Sequence, residues 1–157
     1  MNLRPEARAE AERLLALYPQ RRAAILPLLW LYHAEVGEVN DEVEREIAAL
    51  LGISPAQVRE VSTFYTMFRR PGTGRHVIQV CHTLSCALGG AAEVVERIRA
   101  RLGIGPGETT PDRRFTLVKV ECLGSCDTAP CLQVNDIHYH HMTPEKLDAL
   151  LEELIRQ

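Results

Sequence analysis

Residues 3–70 carry apolar side chains three and four positions apart, the period of a helix. From residue 75 onward, strand-like alternating runs are interleaved with two further helical stripes. The spacing predicts a first helix over 5–18, rich in Ala and Leu with good helix formers on its polar side. A second, over 21–36, sets Ile25, Leu28, Leu29 and Tyr32 on one stripe. Leu26, Trp30 and Leu31 fill its other faces, which predicts burial nearly all round. A third begins near Asn40, lines up Val43, Ile47, Leu50 and Leu51, and stops at Gly52. The fourth has the clearest start. In "ISPAQV", Ser54 takes the N-cap, Pro55 the first helical position and Gln57 the capping-box position, with Ile53 and Val58 spaced for a hydrophobic staple. Phe64, Tyr65 and Phe68 end this segment, spaced for packing in a core or against another subunit.

"RRPGTGR" (69–75) is a punctuated linker. Beyond it, "HVIQV" reads as a strand ending at Cys81. "CALGGAAEVVERIRARLG" reads as a helix with Leu88, Ala91, Val95, Ile98 and Leu102 on one face. A second strand, "FTLVKVE", ends at Cys122. A short strand "CLQVN", a tight turn at Asn135-Asp136 and "IHYHH" follow. The last helix opens at Thr143 and Pro144 and carries Leu147, Leu150, Leu151 and Leu154 as its stripe. Strand-helix-strand, then a hairpin and a packing helix, is the thioredoxin-like plan. The expected fold is therefore α/β: an N-terminal helical segment over 1–70, then a thioredoxin-like β-α-β-β-β-α domain over 75–157.

The 157 residues are 46% apolar and 25% charged, with net charge −3, an ordinary globular balance. Basic and aromatic residues do not cluster, so nothing marks a nucleic-acid partner. The longest apolar run, "AAILPLLWLY", falls short of the about 20 residues a membrane span needs, so no direct membrane insertion is expected. The opening residues mix Glu with Arg and lack the apolar core of a signal peptide. The expectation is a reducing compartment, where five cysteines argue for metal or redox chemistry over a disulfide framework.

Four of those cysteines form two pairs. Cys81 and Cys86 flank four residues in "CHTLSC", and Cys122 and Cys126 flank three in "ECLGSC". Each pair begins where a strand ends. If the two strands are neighbours, about 4.8 Å apart, the four sulfurs meet at one sheet edge. Four thiolates suit zinc or an iron–sulfur cluster, and spacing alone does not choose between them. Neither pair has the Cys-x-x-Cys spacing of a dithiol oxidoreductase. Placing Cys86 at a helix N-terminus would favour its ligating thiolate, and Gly124 would let the chain turn tightly about a bulky group.

"GRHVIQVCHTLSC" and "FTLVKVECLGSCDTAPCLQVND" resemble the thioredoxin-like 2Fe-2S ferredoxin family. More narrowly, together with "RRAAILPLLWLYHAEVG", "ISPAQVREVSTFYTMFRRP" and "LGIGPGETTPD", they resemble the small peripheral-arm subunits of bacterial NADH-quinone oxidoreductase, respiratory complex I. The resemblance covers nearly the whole chain. It implies a 2Fe-2S cluster on Cys81, Cys86, Cys122 and Cys126. It also implies an electron-transfer role, accepting single electrons near the FMN of a partner that binds NADH, alongside other peripheral-arm iron–sulfur proteins. Such a chain is part of an NADH dehydrogenase complex without being catalytic alone. It would sit in the cytoplasm, peripheral to the inner membrane through the complex. Two rival readings are the equivalent subunit of an NAD-linked hydrogenase or formate dehydrogenase, and a zinc-stabilised interaction module.

Other conspicuous residues call for less. Cys131 falls outside the four-ligand pattern, in an apolar strand where a free cysteine acts as a small hydrophobe. His82, His138, His140 and His141 suggest Rieske-type ligation, but four cysteines already complete the coordination. "GIGPG" (103–107) follows a helix, whereas a dinucleotide fingerprint follows a strand and opens one, so it reads as a loop. The 1–70 segment carries none of these ligands and reads as docking structure for the larger partner.

Overall fold

The computed structural model describes residues 3–157. Met1 and Asn2, which the 1–70 segment includes, lie outside them. The chain divides into two compact units at Pro71–Gly72.

The first unit is helical: α1 (Pro5–Leu17), a 3-10 turn (Arg21–Ala24), α2 (Ile25–Val36), α3 (Asp41–Leu51) and α4 (Pro55–Phe64). Its core gathers Leu28, Leu29, Val43, Ile47 and Val58, all fully buried, under Phe68. The starts are set by side chains that accept orphan backbone N–H groups. Asn40 Oδ1 accepts from Glu42 N and Val43 N at 3.1 and 3.0 Å. Ser54 N donates to Gln57 Oε1 at 3.1 Å, as the capping box requires. Two expectations fail. Trp30 is 44% exposed, so α2 is not enclosed on all faces, and Leu50 lies outward while Ala48 takes its place in the core. In both cases the apolar stripe is narrower than the apolar sequence, because only the side facing neighbouring helices is covered.

A buried carboxylate organises α3 and α4. Glu44 is 1% exposed and accepts from Arg59 Nε at 2.8 Å, Ser62 Oγ at 2.7 Å and Arg70 Nη1 at 2.5 Å. Arg59 also holds Asp41. Burial pushes the Glu44 carboxyl upward, but its three donors outweigh that and leave it below the ordinary carboxylate range.

The second unit builds a four-stranded sheet in the order β2-β1-β3-β4, from β1 (His76–Cys81), β2 (Phe115–Val120), β3 (Leu132–Val134) and β4 (Ile137–Tyr139). β1 and β2 run parallel with Cys81 opposite Val120, and β3 runs antiparallel to β1. The hairpin turns at Asn135, whose Oδ1 accepts from Val77 N at 3.0 Å. α6 (Ala91–Leu102) packs against β1 and against α7 (Pro144–Arg156). Ile98, Leu117, Leu132, Leu147 and Leu151 meet in this core. Thr143 Oγ1 caps α7 at Lys146 N, and the expected leucine stripe is buried throughout.

The helix expected to start at Cys86 is two helices. The short α5 (Leu84–Leu88) stops at Gly89, and α6 restarts after Gly90, whose φ of +97° only glycine adopts freely. Leu88, expected on the buried stripe of one continuous helix, is 82% exposed as a result.

Glu44 is the buried member of this cluster, whereas the Arg59 and Arg70 side chains are 49% and 34% exposed, so removing the carboxylate forfeits its charge-assisted hydrogen bonds without stranding a desolvated charge. Glu44→Ala is therefore expected to lower the chain's unfolding free energy by about 2 kcal/mol in urea titrations. The native carboxyl is depressed, so its contribution is complete above the unfolded carboxylate range and is lost as pH falls through the native value. The stability gap between wild type and Glu44→Gln should hold from neutral pH down to about pH 5 and close in more acid solution.

Candidate metal centre

Parallel pairing of β1 with β2 brings the ends of both strands to one edge, as the cysteine spacing predicts. Cys81 is the last residue of β1 and is buried. Cys86 is buried within α5. Cys122 lies two residues beyond β2, and Cys126 opens a 3-10 turn (Cys126–Thr128); both are exposed. The Cys122 and Cys126 sulfurs are 3.4 Å apart. Cys122 also interacts with the Thr83 hydroxyl and with Cys81, while Cys126 interacts with the Ser85 hydroxyl and with Cys86. The outer pair therefore lies within electrostatic reach of the inner pair, although neither Cys122 nor Cys126 joins the group of three sulfurs within 4.8 Å.

Polar hydrogens converge on these sulfurs. Thr83 Oγ1 is 3.3 Å from Cys81 Sγ, and the Leu123 amide also reaches Cys81. Gly124 N donates to Cys122 Sγ at 3.4 Å. Gly124 makes this possible at φ +78°, folding the chain back over the preceding sulfur.

The thiols separate into two kinds. Burial pushes Cys81 upward, but hydrogen bonds from Thr83, Cys86 and Leu123 outweigh it and lower the thiol overall. The Gly124 amide, aided by Cys126, lowers Cys122. Cys126 is raised, because its hydrogen bond to Cys122 and the charge there oppose a second ionisation. Cys86 is raised, chiefly by burial. The expectation that a helix N-terminus would favour the Cys86 thiolate therefore fails. α5 is only a five-residue helix, and desolvation outweighs whatever its end supplies. Each pair consequently offers one sulfur biased toward thiolate and one neighbour that donates to it.

This donor set fits a thiolate-bound, negatively charged metal group. Four sulfurs come from two independently supported segments, with amide and hydroxyl hydrogens aimed at them. The histidines do not join it. The donors that lie within 4.8 Å of one another in a group of three, among the described residues, are all sulfur. His82 lies 3.6 Å from Glu121, His140 Nδ1 is 2.8 Å from Thr128 Oγ1, and the His138 and His140 rings are 6.0 Å apart. The glycine-rich loop is hydrogen-bonded to the sheet, with Gly107 N donating to Leu117 O at 2.7 Å.

Sequence reasoning missed the position of Cys131. It is buried, as expected, but its sulfur is 3.7 Å from Cys86 Sγ, and Cys81, Cys86 and Cys131 are the group brought within 4.8 Å. Burial pushes its thiol up to about 12, with Cys86 adding to the shift. The register of the sheet places it there. Leu132 pairs with Val80 in antiparallel sense, which sets Cys131 beside Cys81, and Cys81 N donates to Cys131 O at 3.3 Å.

The family model for thioredoxin-like [2Fe-2S] ferredoxins matches residues 11–155. Over 143 residues the chain is 49% identical to NADH-quinone oxidoreductase subunit 2 of Thermus thermophilus, covering 89% of this chain and 79% of that protein. Over 145 residues it is 43% identical to a corresponding NADH-quinone oxidoreductase subunit of Rhizobium meliloti, covering 92% and 86%. Among solved structures, an NAD+-reducing [NiFe]-hydrogenase in its air-oxidized state aligns with a TM-score of 0.77 and 24% identity. That alignment spans 88% of this chain and 24% of the hydrogenase chain, and it speaks to fold alone.

In metal-free chain at neutral pH, Cys122 should be alkylated fastest by iodoacetamide, since it is exposed and its thiol is lowered. Cys131, buried and raised to about 12, should be last. Peptide mass spectrometry across a time course gives the order, and early labelling of Cys131 would contradict this geometry.

Proposed function

The chain belongs to the thioredoxin-like [2Fe-2S] ferredoxin family, and on that footing we propose that it is the electron-transfer subunit of an NADH-quinone oxidoreductase, holding a 2Fe-2S cluster on Cys81, Cys86, Cys122 and Cys126. The observation that carries this reading is the parallel pairing of β1 with β2, which sets Cys81 opposite Val120, two residues before Cys122, and so brings both cysteine pairs to the same end of the sheet. When bound, such a cluster takes up and gives back single electrons, which suits a carrier beside a flavin that collects two from NADH.

The chain's own residues then have definite tasks. Cys81 and Cys86 grip from the buried side and fix the site to the sheet and to α5. Cys122 and Cys126 close it from the exposed side, leaving a short path to a partner. The Thr83 hydroxyl and the Leu123 and Gly124 amides place partial positive charge against sulfur, offsetting the negative charge of thiolate ligands. Cys131 is not needed as a ligand here.

The flavin- and NADH-binding subunit of the same complex is the proposed partner, next to other iron–sulfur subunits of the peripheral arm. The helical unit supplies docking surface. Trp30, Phe64 and Met67 are large apolar side chains left exposed there, with Phe64 78% accessible. Among the described residues no helix is long and apolar enough to cross a membrane. Attachment through the complex to the cytoplasmic side of the membrane agrees with that. An equivalent role in an NAD-linked hydrogenase is less well supported, since that likeness is one of fold, whereas the Thermus thermophilus quinone-reductase subunit is 49% identical over 143 residues.

Iron and acid-labile sulfide in anaerobically prepared protein test the ligand set. Serine at Cys81, Cys86, Cys122 or Cys126 is expected to remove most of both, together with the visible absorbance, while Cys131→Ala keeps them. Stoichiometric zinc without sulfide would overturn the assignment. For the docking surface, full-length Phe64→Ser that retains its iron is expected to pull down less of the flavin-bearing subunit than wild type. Unchanged recovery would remove this face from the interface.

A further inference from the structure

Cys131 has no task in the four-ligand reading, yet it completes a triangle of sulfurs. The Sγ atoms of Cys81, Cys86 and Cys131 all lie within 4.8 Å of one another, with Cys86 and Cys131 at 3.7 Å, and each of the three residues is no more than 2% exposed. Three sulfurs bound to one ion at about 2.3 Å stand about 4 Å apart in a trigonal plane. The triangle therefore needs shifts of well under an ångström to close on an ion. Its members are fixed by backbone: Cys81 ends β1, Cys81 N donates to Cys131 O, and Cys86 is held in α5.

We propose that, without the cluster, Cys81, Cys86 and Cys131 form a three-thiolate site for a soft monovalent cation of the Cu(I) class, which competes with cluster loading for Cys81 and Cys86. Ion binding rests on the sulfur triangle alone, and the competition rests on the ligand assignment proposed above. The donor chemistry selects the ion. No carboxylate or imidazole belongs to this group, so hard cations such as Mg2+ and Ca2+ gain nothing there. Structural zinc sites close with four protein ligands, whereas three sulfurs satisfy Cu(I). Up to three sulfur–copper bonds form, each ligating thiol releases its proton to solvent, and copper stays in the +1 state. The Thr83 hydroxyl, 3.3 Å from Cys81 Sγ, takes up part of the charge left on sulfur. The site's sharing of two thiols with the proposed cluster ligands makes the two occupants mutually exclusive.

The test is an anaerobic titration of the full, cluster-free chain with Cu(I) against a competing chromophoric chelator, with far-ultraviolet circular dichroism confirming that each variant keeps wild-type structure. Wild type and the double variant Cys122→Ser/Cys126→Ser are expected to hold one equivalent of copper. Cys131→Ala should hold it about tenfold or more weakly. Equal affinity in Cys131→Ala, or loss of binding in the double variant, would overturn the site. A second measurement starts from loaded protein. Cu(I) should bleach the visible absorbance of wild type faster than that of Cys131→Ala, and equal rates would overturn the competition. Failure of the ligand assignment itself reads out separately, as missing iron and sulfide in Cys131→Ala reconstituted without copper.

Discussion

The parallel pairing of β1 with β2 is the constraint on which the rest of the second unit depends. It places Cys81 opposite Val120, so the chain leaves both strands at the same edge and in the same direction. Two segments far apart in sequence, 81–86 and 122–126, then have no choice but to lie side by side. A connection between parallel neighbours must cross over the sheet, and α6 makes that crossing while packing on β1 and α7. The hydrophobic core under the sheet and the sulfur chemistry at its edge thus share one cause. Had β2 paired antiparallel, its end would lie at the opposite edge and the cysteine pairs would be separated by the length of a strand.

Around that edge the environment is lopsided. The inner sulfurs sit where water is excluded, and the outer ones sit where it is not. Charge on an inner sulfur must be met by protein hydrogens, and Thr83 and Leu123 meet it at Cys81. Charge on an outer sulfur is shared between water and Gly124 N. For a one-electron carrier this arrangement is economical: the inner face fixes the site and the outer face gives access, with no substrate cavity required.

Most of this architecture was legible in the residues. Leucine stripes, caps at Ser54 and Thr143, and the cysteine positions at strand ends are all local signals, and the structure follows them. What escaped was non-local or depended on what covers a surface. The outward turn of Trp30 and Leu50 reflects which side of each helix its neighbours cover, and periodicity does not encode that. The break at Gly89–Gly90 was masked because apolar residues on either side keep nearly the same period. The proximity of Cys131 required the register of β3 against β1, and three-residue strands carry too few alternations to fix a register from sequence. Glu44 was invisible for a related reason. One Glu beside Asp41, Glu42 and Glu46 in an acidic helix looks like solvated surface until Arg59, Ser62 and Arg70 arrive from other segments.

The glycine hinge between α5 and α6 bears on how such a chain can diverge. Gly90 uncouples the short turn that positions Cys86 from the long helix that builds the core. Substitutions that tilt or restyle the solvent side of α6 can accumulate without dragging the Cys86 sulfur along, so the outer helix surface is free to drift toward new neighbours while the metal-gripping turn stays put.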